Sequence, residues 1–144
     1  MRFMLQVRAD RDTEAGVMPS AELVAAMGRF NEAMLKAGIM LAADGLHPSS
    51  KGARISFAGG KPTVVEPPFA DPKELIAGFW IIDVASKEAA IEWARRAPFA
   101  DGVIEIRQVF EAADFPPESL PAEDAAREQA WRDEQQRNTR PRPV

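Results

Sequence analysis

His47 is the one histidine in 144 residues, and imidazole is the only side chain whose ordinary pKa lies near neutrality. Asp44 precedes it by three residues in Asp44-Gly45-Leu46-His47-Pro48-Ser49-Ser50. A carboxylate placed there can orient the imidazole and favour its protonated form, so the two make a candidate catalytic acid/base pair. The plain alternative is a surface histidine beside an aspartate that caps a turn. Ser49 and Ser50 sit too close along the loop to align with His47 as nucleophiles, which disfavours covalent catalysis and leaves Ser49 as a candidate ligand contact.

A second group runs from Phe69 to Glu74. Asp71-Pro72-Lys73-Glu74 carries an N-cap, a first-turn proline and the third-position glutamate of a capping box, which predicts one or two helical turns stopped by Gly78. In one reading Glu74 satisfies backbone donors and Lys73 is solvated. In the other, Lys73 and the exposed amides of that turn meet an anionic or polar ligand. Phe69, Phe79 and Trp80 offer a surface for a ring, although aromatic residues beside strands are core by default.

These residues need a scaffold, and the hydrophobic pattern supplies one. Arg2 to Arg8 alternates, with Phe3, Leu5 and Val7 on one side, and reads as a strand. Ser20 caps a helix with Leu23, Met27, Phe30 and Met34 on one face, stopped by Gly38. Residues 39–43 form a second strand, and 44–52 a loop. Arg54–Phe57 and Thr63–Glu66 flank Gly59-Gly60 as a hairpin. Gly78 to Val84 is a strand apolar on both faces. Ser86 caps a second helix with Ala90, Trp93, Ala94 and Ala97 inward and Pro98 at its end. Residues 103–110 form the last strand, with Ile104, Ile106 and Phe110 on one face and Glu105 and Arg107, a potential ion pair, on the other.

The order β-α-β, hairpin, β-α-β predicts an α+β ferredoxin-like fold: an antiparallel sheet with two helices on one face and an extra β-hairpin. Trp80, Ile82 and Met4 suggest that the other face is apolar too, and a symmetric homodimer would cover it; the C-terminal tail is the alternative cover. We divide the chain into a domain at 1–114 and a polar Pro/Arg-rich tail at 115–144. In that tail 123–137 can form a helix, and Arg140-Pro141-Arg142-Pro143 is expected to be extended and mobile.

Composition narrows the partners. Eighteen basic against twenty-two acidic side chains give a net charge of −4, the wrong sign for nucleic acid or anionic lipid, so neither is expected. Absence of cysteine rules out disulfides, thiolate nucleophiles and thiolate zinc sites. One histidine is too few for a zinc or iron centre, so no metal is expected, a weak magnesium or calcium contact aside. No Gly-x-Gly-x-x-Gly follows a strand and there is no P-loop, so no nucleotide cofactor is expected. No apolar run approaches the ~18 residues of a membrane span, and we expect a cytoplasmic protein.

Three stretches carry a resemblance: the loop Asp44-Gly45-Leu46-His47-Pro48-Ser49-Ser50, the segment Glu66-Pro67-Pro68-Phe69-Ala70-Asp71-Pro72-Lys73-Glu74-Leu75, and Gly78-Phe79. Together, over residues 1–110, they resemble the YCII-related family, specifically its DGPF-type branch, with Glu66-Pro67 where the naming motif has Asp-Gly. The resemblance implies a dimeric α/β-barrel built from ferredoxin-like protomers. It also implies a small-molecule enzyme or binding protein, since some related proteins act on aromatic or lactone compounds. The family pattern keeps both a lysine and a glutamate at the Lys73-Glu74 position. The resulting expectation is a small-molecule-binding domain with acid/base potential, in which Asp44, His47, Lys73 and Glu74 surround a cleft and Ser49 and Phe69 add contacts. The alternative is a non-catalytic dimeric accessory or regulatory module.

Overall fold

The computed structural model describes residues 1–69 and 71–138. They fall into two units, 1–108 and 109 onward.

In the first unit, strand β1 (Arg2–Arg8) leads into a one-turn helix α1 (Arg11–Glu14) and then a long helix α2 (Ala21–Lys36). Strand β2 (Met40–Gly45) follows, then the hairpin β3 (Arg54–Ala58) and β4 (Lys61–Val65), strand β5 (Ile76–Asp83), helix α3 (Lys87–Ala94) and strand β6 (Ile104–Gln108). The main sheet is antiparallel in the order β2-β5-β1-β6, the ferredoxin-like arrangement, and the hairpin is a separate two-stranded sheet.

Local chemistry sets these boundaries. Ser20 Oγ accepts from the Leu23 N–H at 3.1 Å to start α2, and Gly38 at φ +71° turns the chain out of it. Ser86 Oγ does the same for the Ala89 N–H at 3.1 Å in α3. Gly59 and Gly60, at φ +57° and +79°, form the hairpin turn, both in a region closed to most side chains.

Helices α2 and α3 cover one face of the sheet. Phe3 and Leu5 from β1, Trp80 and Ile82 from β5, Phe30 and Met34 from α2 and Ala90 from α3 form one buried cluster with Val84. Trp93 and Ala94 of α3 pack against it, and so does Ala97 from the turns that follow, since the helix ends at Ala94 rather than at Pro98. No helix of this unit lies on the other face, called the uncovered face below, among the described residues.

Several expectations need correction. Trp80 and Ile82 belong to the helix-covered face. The uncovered face takes its apolar surface from Met4, Phe79 and Ile81, because Leu5 pairs with Trp80 whereas Met4 pairs with Ile81 and Gln6 with Phe79. Strand β2 runs on through Asp44 and Gly45, so these two lie in a strand rather than in the loop. The turn after Asp71 is a single 3-10 turn, Pro72–Glu74, that ends before Gly78. Gly78 sits inside β5 instead, where an added Cβ would lie 3.0 Å from the Asp44 carbonyl oxygen; the two strands approach closely there because Gly78 has no side chain. Phe110 lies outside β6 and is 68% exposed. Helix α1 was not anticipated: one turn carries no apolar period, and its only signal is the Asp10–Thr13 capping box.

The second unit holds a 3-10 turn at Ala112–Asp114 and helix α4 (Ala122–Asn138), which has no buried residue. Arg132 ties it down within the unit, reaching Glu111 Oε2 at 3.1 Å and the Phe110 carbonyl at 3.4 Å. The Arg140–Pro143 segment lies outside the described residues.

Candidate functional site

Register places Asp44 on the uncovered face. Asp44 opposes Phe79, Phe79 opposes Gln6 and Gln6 opposes Glu105, so the four stand in one row across the sheet. The next row is Ala42, Ile81, Met4 and Arg107. Charges frame these apolar centres. Arg8 Nη2 donates to Glu105 Oε1 at 2.9 Å, and Arg107 lies 3.5 Å from the other Glu105 oxygen. At the far corner the N-terminal ammonium meets Asp83 Oδ1 at 3.0 Å.

Asp44 lies on β2, an edge strand of this sheet, and the chain leaves it toward His47. Both side chains are exposed, and no hydrogen bond or ion pair joins them among the described residues. An approaching ligand therefore finds two separate groups, an acceptor carboxylate and an imidazole, rather than a preformed dyad.

Ser49 is held differently. Its backbone N–H donates to Glu14 Oε1 at 3.1 Å, and its hydroxyl donates to Glu14 Oε2. One carboxylate thus satisfies the free amide that opens the 3-10 turn Ser49–Lys51 and fixes the side chain beside it. With its proton committed to Glu14, the Ser49 oxygen keeps only lone pairs for a ligand. Sequence reasoning missed Glu14, since 35 residues separate the partners and no local pattern links them.

Phe69 carries the Arg54 guanidinium 3.9 Å above its ring, a cation–π contact that supplies a second positive group beside the Phe69–Glu74 segment. Arg54 also escaped sequence reasoning, for it reads as an ordinary strand-end residue. Asp71 Oδ1 accepts from the Lys73 N–H at 2.9 Å, as a cap should. Glu74 makes no reciprocal bond among the described residues and its N–H goes to the Asp71 backbone carbonyl at 3.1 Å, so Asp71 caps the turn without a capping box. Lys73 and Glu74 are both exposed.

The structure thus brings Ser49 onto Glu14, Phe69 onto Arg54 and Asp44 into the row with Phe79, while His47, Lys73 and Glu74 stay solvent-facing. No polar or charged residue is buried among the described residues. No three metal-ligating side chains cluster there.

The sequence pattern of the YCII-related domain matches residues 1–113. The chain belongs to the YCII-related family. An uncharacterised protein of Rhizobium meliloti (strain 1021) is 32% identical over 77 residues, which span 54% of this chain and 62% of that protein's length. Among solved structures, 5-chloro-2-hydroxyhydroquinone dehydrochlorinase from Burkholderia phenoliruptrix AC1100, in complex with 2,5-dihydroxybenzoquinone, overlaps 81% of this chain and all of its own, with a TM-score of 0.39 and 11% identity. In this YCII-related chain the Gly78-Phe79 pair has a plain physical use. Glycine lets the end of β2 close on β5, and the next residue then stands beside Asp44 on the uncovered face. No helix among the described residues is long and apolar enough to cross a membrane.

Proposed function

We propose that this chain is a cytoplasmic, homodimeric small-molecule-binding protein of the DGPF type, in which residues 1–114 carry the function and 115–144 are an appendage. The ligand meets Asp44, His47, Ser49, Phe69, Lys73 and Glu74 along the rim of the uncovered sheet face, and His47 exchanges a proton with it while Asp44 holds the charge that develops. The observation that carries this reading is the uncovered face itself. An apolar centre of Met4, Phe79 and Ile81 is surface that a second copy can cover, which leaves the β2 edge with Asp44 as the rim open to a ligand. Arg54 stacked on Phe69, with Lys73 in the same stretch of chain, favours a ligand with a ring and a negative group.

Benzoate and inorganic phosphate are suitable probes, and the lone histidine gives one imidazole signal to follow by NMR. The proposal expects that signal, with the amides of residues 44–52 and 71–75, to shift saturably at millimolar benzoate and less with phosphate. Unmoved spectra with both probes would contradict it. The separation of Asp44 from His47 favours a second reading, a non-catalytic dimeric accessory or regulatory module. Saturable shifts in which His47 alone stays still would support that one.

A further inference from the structure

The His47 imidazole is exposed, yet its backbone spans a single residue between two anchors. Before it, the Leu46 N–H donates to the Ala77 carbonyl at 2.9 Å and carries the β2–β5 ladder one residue further. After it, Pro48 sits at φ −52° and ψ 151°, and Ser49 gives both its N–H and its hydroxyl to the Glu14 carboxylate. Glu14 and Ser49 are both half-buried.

Glu14 is in turn held from the other side of the site. A one-turn helix such as α1 is too short to persist alone, and its capping box fixes it, with the Thr13 N–H on Asp10 Oδ1 and the Asp10 N–H on Thr13 Oγ1, each at 2.8 Å. Ala9, just before the cap, is buried and donates its N–H at 3.0 Å to the carbonyl of Leu75, the residue that follows the Pro72–Glu74 turn. Pro48 lies near the same segment, since a Cβ on Gly16 would be 3.9 Å from its ring. These contacts close a ring: Leu75 runs to Ala77, Ala77 bonds Leu46, Leu46 runs to Ser49, Ser49 bonds Glu14, and α1 returns to Ala9 and Leu75. Only the Glu14 link in it is made by a side chain; the rest is backbone.

We propose that Glu14 is a positioning residue of the candidate site, which through Ser49 fixes the His47 backbone relative to the Phe69–Glu74 segment so that one ligand reaches both. The inference rests on the ligand-binding reading above. A loop ordered before the ligand arrives costs nothing at binding, whereas a released loop must be ordered by the ligand and weakens it. The grip needs an acceptor of the right reach, because two donors of one residue converge on it. Glutamine keeps the reach and one oxygen; aspartate keeps the charge and is one methylene too short.

The test uses the 144-residue chain as wild type, Glu14→Ala, Glu14→Asp, Glu14→Gln and Ser20→Ala. Without ligand, exchange of the Ser49 amide should quicken about tenfold in Glu14→Ala and Glu14→Asp, with the His47 ring signal displaced and the amides of 71–77 in place. Glu14→Gln should stay near wild type. A Ser49 amide that exchanges equally fast in all of them overturns the grip. With benzoate as the probe, the alanine and aspartate variants should raise Kd about tenfold and glutamine no more than about twofold. Should Glu14→Ala fail to fold, the aspartate and glutamine pair still decides, and equal binding by these two overturns the role of reach. Ser20→Ala loses the cap of α2 and touches no part of the ring, so it should bind benzoate as wild type does. An equal loss there reduces Glu14 to general stability and overturns the proposal. Saturable wild-type binding that Glu14→Ala leaves unchanged overturns the positioning and keeps the ligand reading. A wild type that binds neither benzoate nor phosphate overturns the ligand reading and the positioning role with it.

Discussion

Trp80 and Ile81 are neighbours on one strand and live in different surroundings. Trp80 is 5% exposed, with the edge of Phe30 at 5.4 Å between ring centres and its indole N–H donated to Asn31 Oδ1 at 2.8 Å. Ile81 faces away from the helices, beside Met4 and Ala42, and is only half-buried. Alternation along a strand is enough to say that such residues part company. It cannot say which side the helices take when both sides are apolar. The tie is broken by hydrogen-bond chemistry: a buried indole N–H needs an acceptor, and α2 brings one to the Trp80 side.

That contrast predicts its own largest effect. Trp80→Ala should cost about 3–5 kcal/mol of unfolding free energy, as large core truncations do, whereas Ile81→Ala should cost under about 1 kcal/mol in dilute, monomeric chain. Urea denaturation of the two variants decides, and equal losses would erase the distinction between the faces. Next in size is Gly78→Ala. Its new methyl must push the Asp44 carbonyl from 3.0 Å, so a loss of about 1–2 kcal/mol is expected, with shifted amide signals at 44 and 45.

Smaller effects compare the caps. Asp71 holds a single exposed turn through one bond to the Lys73 N–H, so Asp71→Ala should lower stability by about 0.5 kcal/mol, at the low end for lost caps. Ser20→Ala, at the head of sixteen-residue α2, should cost about 1 kcal/mol, and thermal melts rank the two. The smallest effect is a pH dependence. Hydrogen bonds from Thr13, its backbone N–H first, hold the Asp10 carboxyl below its ordinary value of 3.8. A depressed folded-state pKa stabilises the chain above the unfolded value, and that contribution is lost as pH falls through the folded one. Asp10→Asn keeps a capping side chain and removes the titration. Its stability should change little at pH 7 and fall less steeply than wild type below about pH 4, measured by melts across pH.

The same comparison shows what was legible in the sequence. The strand order, helices α2 and α3 with their serine caps, and the glycine turn follow from patterns confined to a few residues, so they could be read directly. The failure of the capping box at Glu74 and the fate of Gly78 could not, because β5 begins at Ile76 and its pairing with β1 and β2 outcompetes a second helical turn. Within the candidate site, the residue types at 44–50 and 69–74 stood out, but their partners did not. Glu14 and Arg54 act across long sequence separations, where only the folded chain brings a carboxylate to Ser49 or a guanidinium to Phe69.

The central claim is that the face carrying Phe79 and Ile81 is closed by a second copy, with Asp44 at its edge. Light scattering on the purified 144-residue chain at tens of micromolar tests it most directly. The account predicts twice the 15.8 kDa chain mass for wild type and a single chain mass for Ile81→Glu. A wild-type particle of one chain mass, or an Ile81→Glu dimer as tight as wild type, would contradict it.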